Sequence, residues 1–277
     1  MGAASWVAVY DPARAVAGAS VIVTSGEGPS IAVTEHGPDG LDVPLVVLVH
    51  GAMDRARSLR RIVERLPDLR VVVYDRRGYG GSVDAGPPTG FAQHLEDLLE
   101  IIDGRRSTIV AHSLGSHMAV LAAIAHPELV ASVGLWEPPV PWMDFWPAGA
   151  RRTVASIASA PDPADVGERG VRQMLGEDGW NRLTDEARAL RRAEGHAFVV
   201  DMASEVEPPY DWADLRVPCI IGYGEKTWPY SLDASQRLAA IVGCDTFVIA
   251  GAPHTAHVSH PDEFTEFVRR AIALGVG

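Results

Sequence analysis

Four runs rich in apolar and β-branched residues punctuate the chain: "PLVVLVHG" at 44–51, "RVVVYD" at 70–75, "STIVAH" at 107–112 and "LVASVGLW" at 129–136. They barely alternate with polar residues, as expected of strands covered on both faces in the middle of a parallel sheet. Helix-like segments fall between them at 56–66, 91–102 and 115–126, and two further strands, "VPCIIGYG" and "CDTFVIA", come late. Strands alternating with helices predict βαβ units in one mostly parallel α/β sheet with helices on both faces. Upstream, the short β-rich runs Val21 to Thr24 and Ile31 to Glu35 flank "SGEGPS", a hairpin turn that would supply an antiparallel edge. The first twenty residues show no period and read as a loose extension.

One segment breaks the rhythm. Residues 138–214 hold helix-like patches, among them "RTVASIA", "ERGVRQML" and "TDEARALRRAEGHAFVV", without a strong strand run. The expected organisation is one core domain from residues 1–137 and 215–277, with 138–214 inserted as a helical cap above the strand ends, where open α/β sheets place ligands.

With 277 residues, 47% of them hydrophobic, the chain can bury one large core. A formal charge of −12 with no segregated basic patch opposes nucleic acid and anionic membranes as partners. Two distant cysteines, Cys219 and Cys244, suit neither a zinc site nor a disulfide scaffold, and read as free thiols. The start "MGAASWVAVYDPARAVAG" lacks a basic n-region and an apolar h-region, and no apolar run approaches the ~18 residues of a membrane span. A cytoplasmic location without membrane insertion is expected.

The chemistry concentrates at "AHSLG", where Ser113 ends an apolar strand and opens a helix, flanked two positions away by Ala111 and Gly115. A strand that turns at once into a helix crowds the residue at the bend, so both flanking positions must be small. The hydroxyl then sits at a helix N-terminus, which favours developing negative charge. The alternative is that Ser113 simply caps the helix.

The ordered motifs "LVHGAMD", "YDRRGYGGS", "AHSLGSHMA" and "AGAPHTAHVSHPDEFTEFV" together resemble the α/β-hydrolase superfamily. The resemblance implies a nucleophilic Ser113, with an oxyanion hole formed by the backbone N–H groups of Ala52 and Leu114. It assigns the general base to His254, with His257 three residues on as the alternative, and gives Asp75, Arg76 and Arg77 a role in loop packing. No metal or cofactor is implied.

The acid is less direct. The family places an Asp after the penultimate strand, but "GYGEKT" puts Thr227 there, and a threonine cannot offset an imidazolium. Glu137, at the end of "LVASVGLWE", is the leading replacement, because a carboxylate leaving a buried strand is costly without a partner. Glu225 is the alternative acid, and a site with no acid at all remains open. Met53, Trp142, Phe145 and Trp146 are candidates for an apolar substrate pocket, although the rings could equally fasten the cap to the sheet. The expected activity is hydrolysis of a small-molecule ester, thioester or lactone through an acyl-enzyme. Cofactor-free C–C bond hydrolysis and a non-catalytic ligand-binding protein are the alternatives.

Overall fold

The computed structural model describes residues 20–23, 31–38 and 43–276. The predicted N-terminal extension and the "SGEGPS" turn lie outside the described residues. In chain order the elements begin with strands β1 (Ser20–Val23), β2 (Ala32–His36) and β3 (Leu45–Val49). Helix α1 (Arg60–Val63) precedes β4 (Arg70–Tyr74), then come α2 (Phe91–Ile102), β5 (Ser107–His112), α3 (Ser116–Ala125) and β6 (Val130–Trp136). Helices α4 (Ala148–Ala158), α5 (Pro163–Asn181) and α6 (Asp185–Ser204) follow. The chain closes with β7 (Cys219–Gly224), α7 (Pro229–Val242), β8 (Asp245–Ile249), α8 (Ala256–Ser259) and α9 (Pro261–Leu274).

The eight strands form one sheet in the order β1-β2-β4-β3-β5-β6-β7-β8. β1 and β2 pair antiparallel, as do β2 and β4, whereas every other pair is parallel, so the hairpin supplies the antiparallel edge the sequence predicts.

Alternate residues of β3 show why the central runs do not alternate in polarity. Val47 and Val49 pack with Leu98 of α2, Met118 and Ala122 of α3 and Leu238 of α7. Val46 and Leu48 point to the opposite face, against Ile62 of α1 and Phe264, Phe267 and Val268 of α9. Both faces are dry, and both positions of the period-two pattern must be apolar. At the edge, β8 leaves Asp245, Thr246 and Val248 exposed.

The predicted helix at 56–66 is shorter than expected: a 3-10 turn at Ala56–Leu59 runs into the single turn of α1. Between β6 and β7 there are only helices, as predicted. Asp162 caps α5 by accepting from the Asp165 N–H, with Pro163 in the first turn, and Thr184 caps α6 by accepting from the Ala187 N–H. α6 is tied to the sheet's loops by Glu194, which accepts from Arg55 Nε at 2.8 Å and from the Gly80 N–H at 2.9 Å. Both cysteines are free. Among the described residues, no helix is long and apolar enough to cross a membrane.

Candidate active site

Ser113 sits at a tight bend between β5 and the 3-10 turn Ser113–Gly115 that leads into α3. Its φ is +52°, a left-handed conformation that costs a non-glycine residue about 1–2 kcal/mol. Small neighbours make the bend possible. A Cβ at Gly115 would lie 2.6 Å from the His50 carbonyl oxygen, and one at Gly51 would lie 3.1 Å from Ser113 Cβ. The N-cap reading is not seen, since Gly115 occupies the cap position of α3 and no side-chain cap bond is made. Ser113 lines an open cleft together with Ala52, Met53, Leu114, Glu137 and His254. Its hydroxyl donates to no described residue, the His254 ring included. Bonds between nucleophile and base are often long without substrate and tighten in the Michaelis complex.

Among the described residues, four that are not glycine have positive φ: Met53, Asp103, Ser113 and Glu137. Asp103 merely ends α2. The other three follow β3, β5 and β6, so the strain gathers at the carboxyl ends of adjacent strands, where α/β sheets bind ligands.

Glu137 and His254 meet there. His254 Nδ1 lies 2.6 Å from Glu137 Oε2, which also accepts from Thr227 Oγ1 at 2.6 Å and Ser231 Oγ at 2.9 Å, while Oε1 accepts from the Gly224 N–H at 2.9 Å. The carboxylate side chain is fully buried. Burial alone would raise its pKa, but the hydrogen bond and charge of His254, aided by Gly224 and Thr227, hold it below its ordinary value. Thr227, which stands at the family's usual acid position, thus donates to the carboxylate that arrives from β6. Glu225, the alternative acid, accepts from the Gly251 N–H at 2.8 Å and makes no bond to His254; as a partner for that imidazole it is corrected.

Two buried donors hold the His254 backbone: His112 Nε2 at 3.1 Å and Trp136 Nε1 at 3.0 Å both point at its carbonyl oxygen. The sequence gives no hint of this clamp beyond the adjacency of His112 to Ser113. His257 is buried and does not line the cleft; its Nε2 pairs at 3.2 Å with Asp54, which does.

Met53 and Trp146 line the cleft. Trp142 and Phe145 do not. Trp142 packs against His117 and Tyr210, and Phe145 lies under the Arg237 guanidinium, so both fasten elements together. Instead the aromatic wall near His254 comes from Trp228 and Tyr230, stacked with 6.0 Å between centroids and with Trp228 4.9 Å from the His254 ring. Both follow Thr227 in "GYGEKTWPY".

Among the described residues, Asp54, His112 and His257 bring one potential metal-ligand atom each to within 4.8 Å of one another. His112 already spends Nε2 on His254 and His257 is paired with Asp54, so the group reads as a polar cluster in which half-buried Asp54 meets the cleft and the two buried imidazoles lie behind it.

The profile of the alpha/beta hydrolase family matches residues 46–267. Over 147 residues the chain is 29% identical to lipase LipV of Mycobacterium tuberculosis, a match covering 52% of this chain and 54% of that one, about half the relative's length. A thermophilic esterase from Thermogutta terrifontis superposes with a TM-score of 0.68 at 18% identity, covering 92% of this chain and 97% of that one. The 2-hydroxy-6-oxo-6-phenylhexa-2,4-dienoate hydrolase of Rhodococcus sp. strain RHA1 superposes with a TM-score of 0.66 at 20% identity, covering 92% and 99%. At these identities the two structures show a shared fold.

Proposed function

This chain belongs to the alpha/beta hydrolase family, and on that premise we propose that it is a serine hydrolase of small esters, thioesters or lactones working through Ser113, His254 and Glu137. The observation that carries the reading is the 2.6 Å contact between His254 Nδ1 and a buried, ionised Glu137. A carboxylate there fixes the imidazole with its proton on Nδ1, leaves Nε2 free to accept a proton, and stabilises the imidazolium once formed.

In the first half-reaction His254 Nε2 takes the Ser113 proton as Oγ bonds to the substrate carbonyl carbon, and the carbonyl oxygen becomes an oxyanion facing the N–H groups of Ala52 and Leu114. Collapse breaks the bond to the leaving oxygen or sulfur, which takes the proton from His254. Water then gives a proton to His254 and its oxygen to the acyl carbon. Collapse of this second intermediate returns the proton to Ser113 and releases the acid. Each oxyanion donor lost would cost on the order of 3 kcal/mol of barrier.

Residues 138–214 act in this reading as a cap on a core formed by 1–137 and 215–277. The wall of Trp146, Trp228 and Tyr230 favours a substrate with an apolar or planar acyl or leaving group. A p-nitrophenyl ester panel tests the assignment: Glu137→Gln is expected to lower kcat by roughly 10³–10⁴-fold, as loss of the triad carboxylate does elsewhere, and Glu225→Gln to leave it unchanged. Full activity in Glu137→Gln, or the loss falling on Glu225→Gln, contradicts it.

A further inference from the structure

We propose that Arg76 and His50 are positioning residues that aim the Ala52 N–H into the cleft by holding the far end of its own peptide, and that Asp201 on α6 anchors Arg76 in that role. The proposal rests on the serine-hydrolase reading only in calling Ala52 an oxyanion donor; the geometry is independent of it.

The Ala52 N–H and the Gly51 C=O belong to one peptide plane. No cis bond occurs among the described residues, so the two groups point in opposite directions and fixing one fixes the other. Gly51 O accepts from His50 Nδ1 at 2.8 Å and from Arg76 Nη2 at 3.2 Å. Ala52 lines the cleft, and its N–H donates to no described residue. Two donors on a carbonyl also polarise the amide, which strengthens the N–H at its other end.

The supports are themselves fixed. His50 Nε2 accepts from the Arg76 backbone N–H at 2.8 Å, so the proton of the neutral ring sits on Nδ1, facing Gly51 O. Burial, reinforced by the Arg76 charge, pushes the His50 pKa down to about 3, which keeps the ring neutral. Arg76 adds a bond from Nε to His50 O at 3.2 Å and is fully buried. Its counterion is Asp201, whose Oδ2 accepts from Arg76 Nη2 at 3.0 Å and from Tyr79 Oη at 2.7 Å. His94 Nε2 lies 2.9 Å from Asp201 Oδ1 and 3.1 Å from Arg76 Nη1. A buried guanidinium without its carboxylate is strongly unfavourable, so a helix of the inserted segment holds the cation that holds the oxyanion loop. A lysine cannot reproduce this, because one ammonium cannot span two carbonyls and a carboxylate in a planar fork.

The test compares wild type with Arg76→Lys and Asp201→Asn in the full chain, using p-nitrophenyl acetate kinetics, thermal melting and the amide spectrum of ¹⁵N-alanine-labelled protein. For Arg76→Lys we expect kcat to fall about 10–100-fold, short of losing an oxyanion donor outright, with KM nearly unchanged and the Ala52 amide proton moving upfield. Asp201→Asn should shift the same resonance in the same direction with a smaller loss in kcat. Folded variants with wild-type kcat and an unmoved Ala52 resonance overturn the proposal. So does a rise in KM with diffuse shifts across many alanines, the signature of general loosening. If the wild type cleaves no ester, the hydrolase reading fails while the Ala52 resonance still decides this inference. Should neither variant fold, a crystal structure of the wild type decides: a Gly51 carbonyl turned away from Arg76 overturns the proposal, and one held by it supports it.

Discussion

At the scale of single residues, Thr227 carries the most instructive lesson. Read along the chain it marks a loss, since a hydroxyl stands where the family keeps a carboxylate. In three dimensions it is a support: its hydroxyl, Ser231 Oγ and the Gly224 N–H all donate to Glu137. Reinstating the family residue should therefore harm the protein. Thr227→Asp would set a second carboxylate against Glu137 Oε2 and remove a donor, and two like charges in one site cannot both ionise freely. We expect kcat to drop about tenfold or more, equivalent to ~1.4 kcal/mol of barrier; an increase, measured on the same ester, would mean the carboxylate at 137 is not the working acid. The contact of Glu137 with His254 was legible as the partner that a charge leaving a buried strand needs, and desolvation cost set it above Glu225. The bend at Ser113 was legible from its small neighbours. The clamp on the His254 carbonyl was not, because it is made by Trp136 and His112, whose ring nitrogens are brought to that oxygen by strand pairing that no local pattern encodes.

At the scale of elements, the hydrophobic pattern was most informative where burial is two-sided. Each of the four central runs is a strand, and the segment 91–102 is α2 with the predicted bounds. Boundaries failed where the pattern was apolar but the chain was not regular: residues 56–66 hold two short turns instead of one helix, and the loop there is organised by Asp75, whose Oδ1 accepts from the Ala56 N–H at 2.7 Å. Helices α7 and α9 were not foreseen, although Phe264, Phe267, Val268, Ala271 and Ile272 recur at helical spacing and are all buried. That spacing is an ordinary amphipathic helix signal. For Trp142 and Phe145 closeness in sequence to Glu137 left two readings, a shared pocket or a fastening of the cap, and they pack against His117, Tyr210 and Arg237.

Across the whole molecule, buried charge joins the inserted helices to the sheet and gives stability a definite pH dependence. Burial would raise the pKa of Asp201, but Arg76, His94 and Tyr79 together hold it well below the ordinary carboxylate range. Asp54 beside His257 is likewise held well below that range, and Glu137 beside His254 is held below its ordinary value. A carboxyl depressed in the folded state contributes stability that is present above its unfolded value, near pH 4, and is lost as pH falls through the folded one. Glu205 has the opposite sign: burial raises it despite the His117 hydrogen bond, so its contribution is lost as pH rises through the raised value. We therefore expect the melting temperature to fall steeply below about pH 4, with a shallower acid limb in Asp201→Asn than in wild type; equal acid slopes would show that Asp201 is not a principal titrating anchor.

The non-catalytic alternative draws on the threonine at 227, and under the proposed function the Glu137 to His254 contact supplies the carboxylate that position lacks. What the whole account claims is an activated serine. Covalent labelling by a fluorophosphonate probe, read as a mass shift on the intact protein, tests this most directly. The account predicts stoichiometric labelling of the wild type, slow labelling of Glu137→Gln and none of Ser113→Ala. A wild type that stays unlabelled, or a Ser113→Ala protein that labels as fast as wild type, would contradict it.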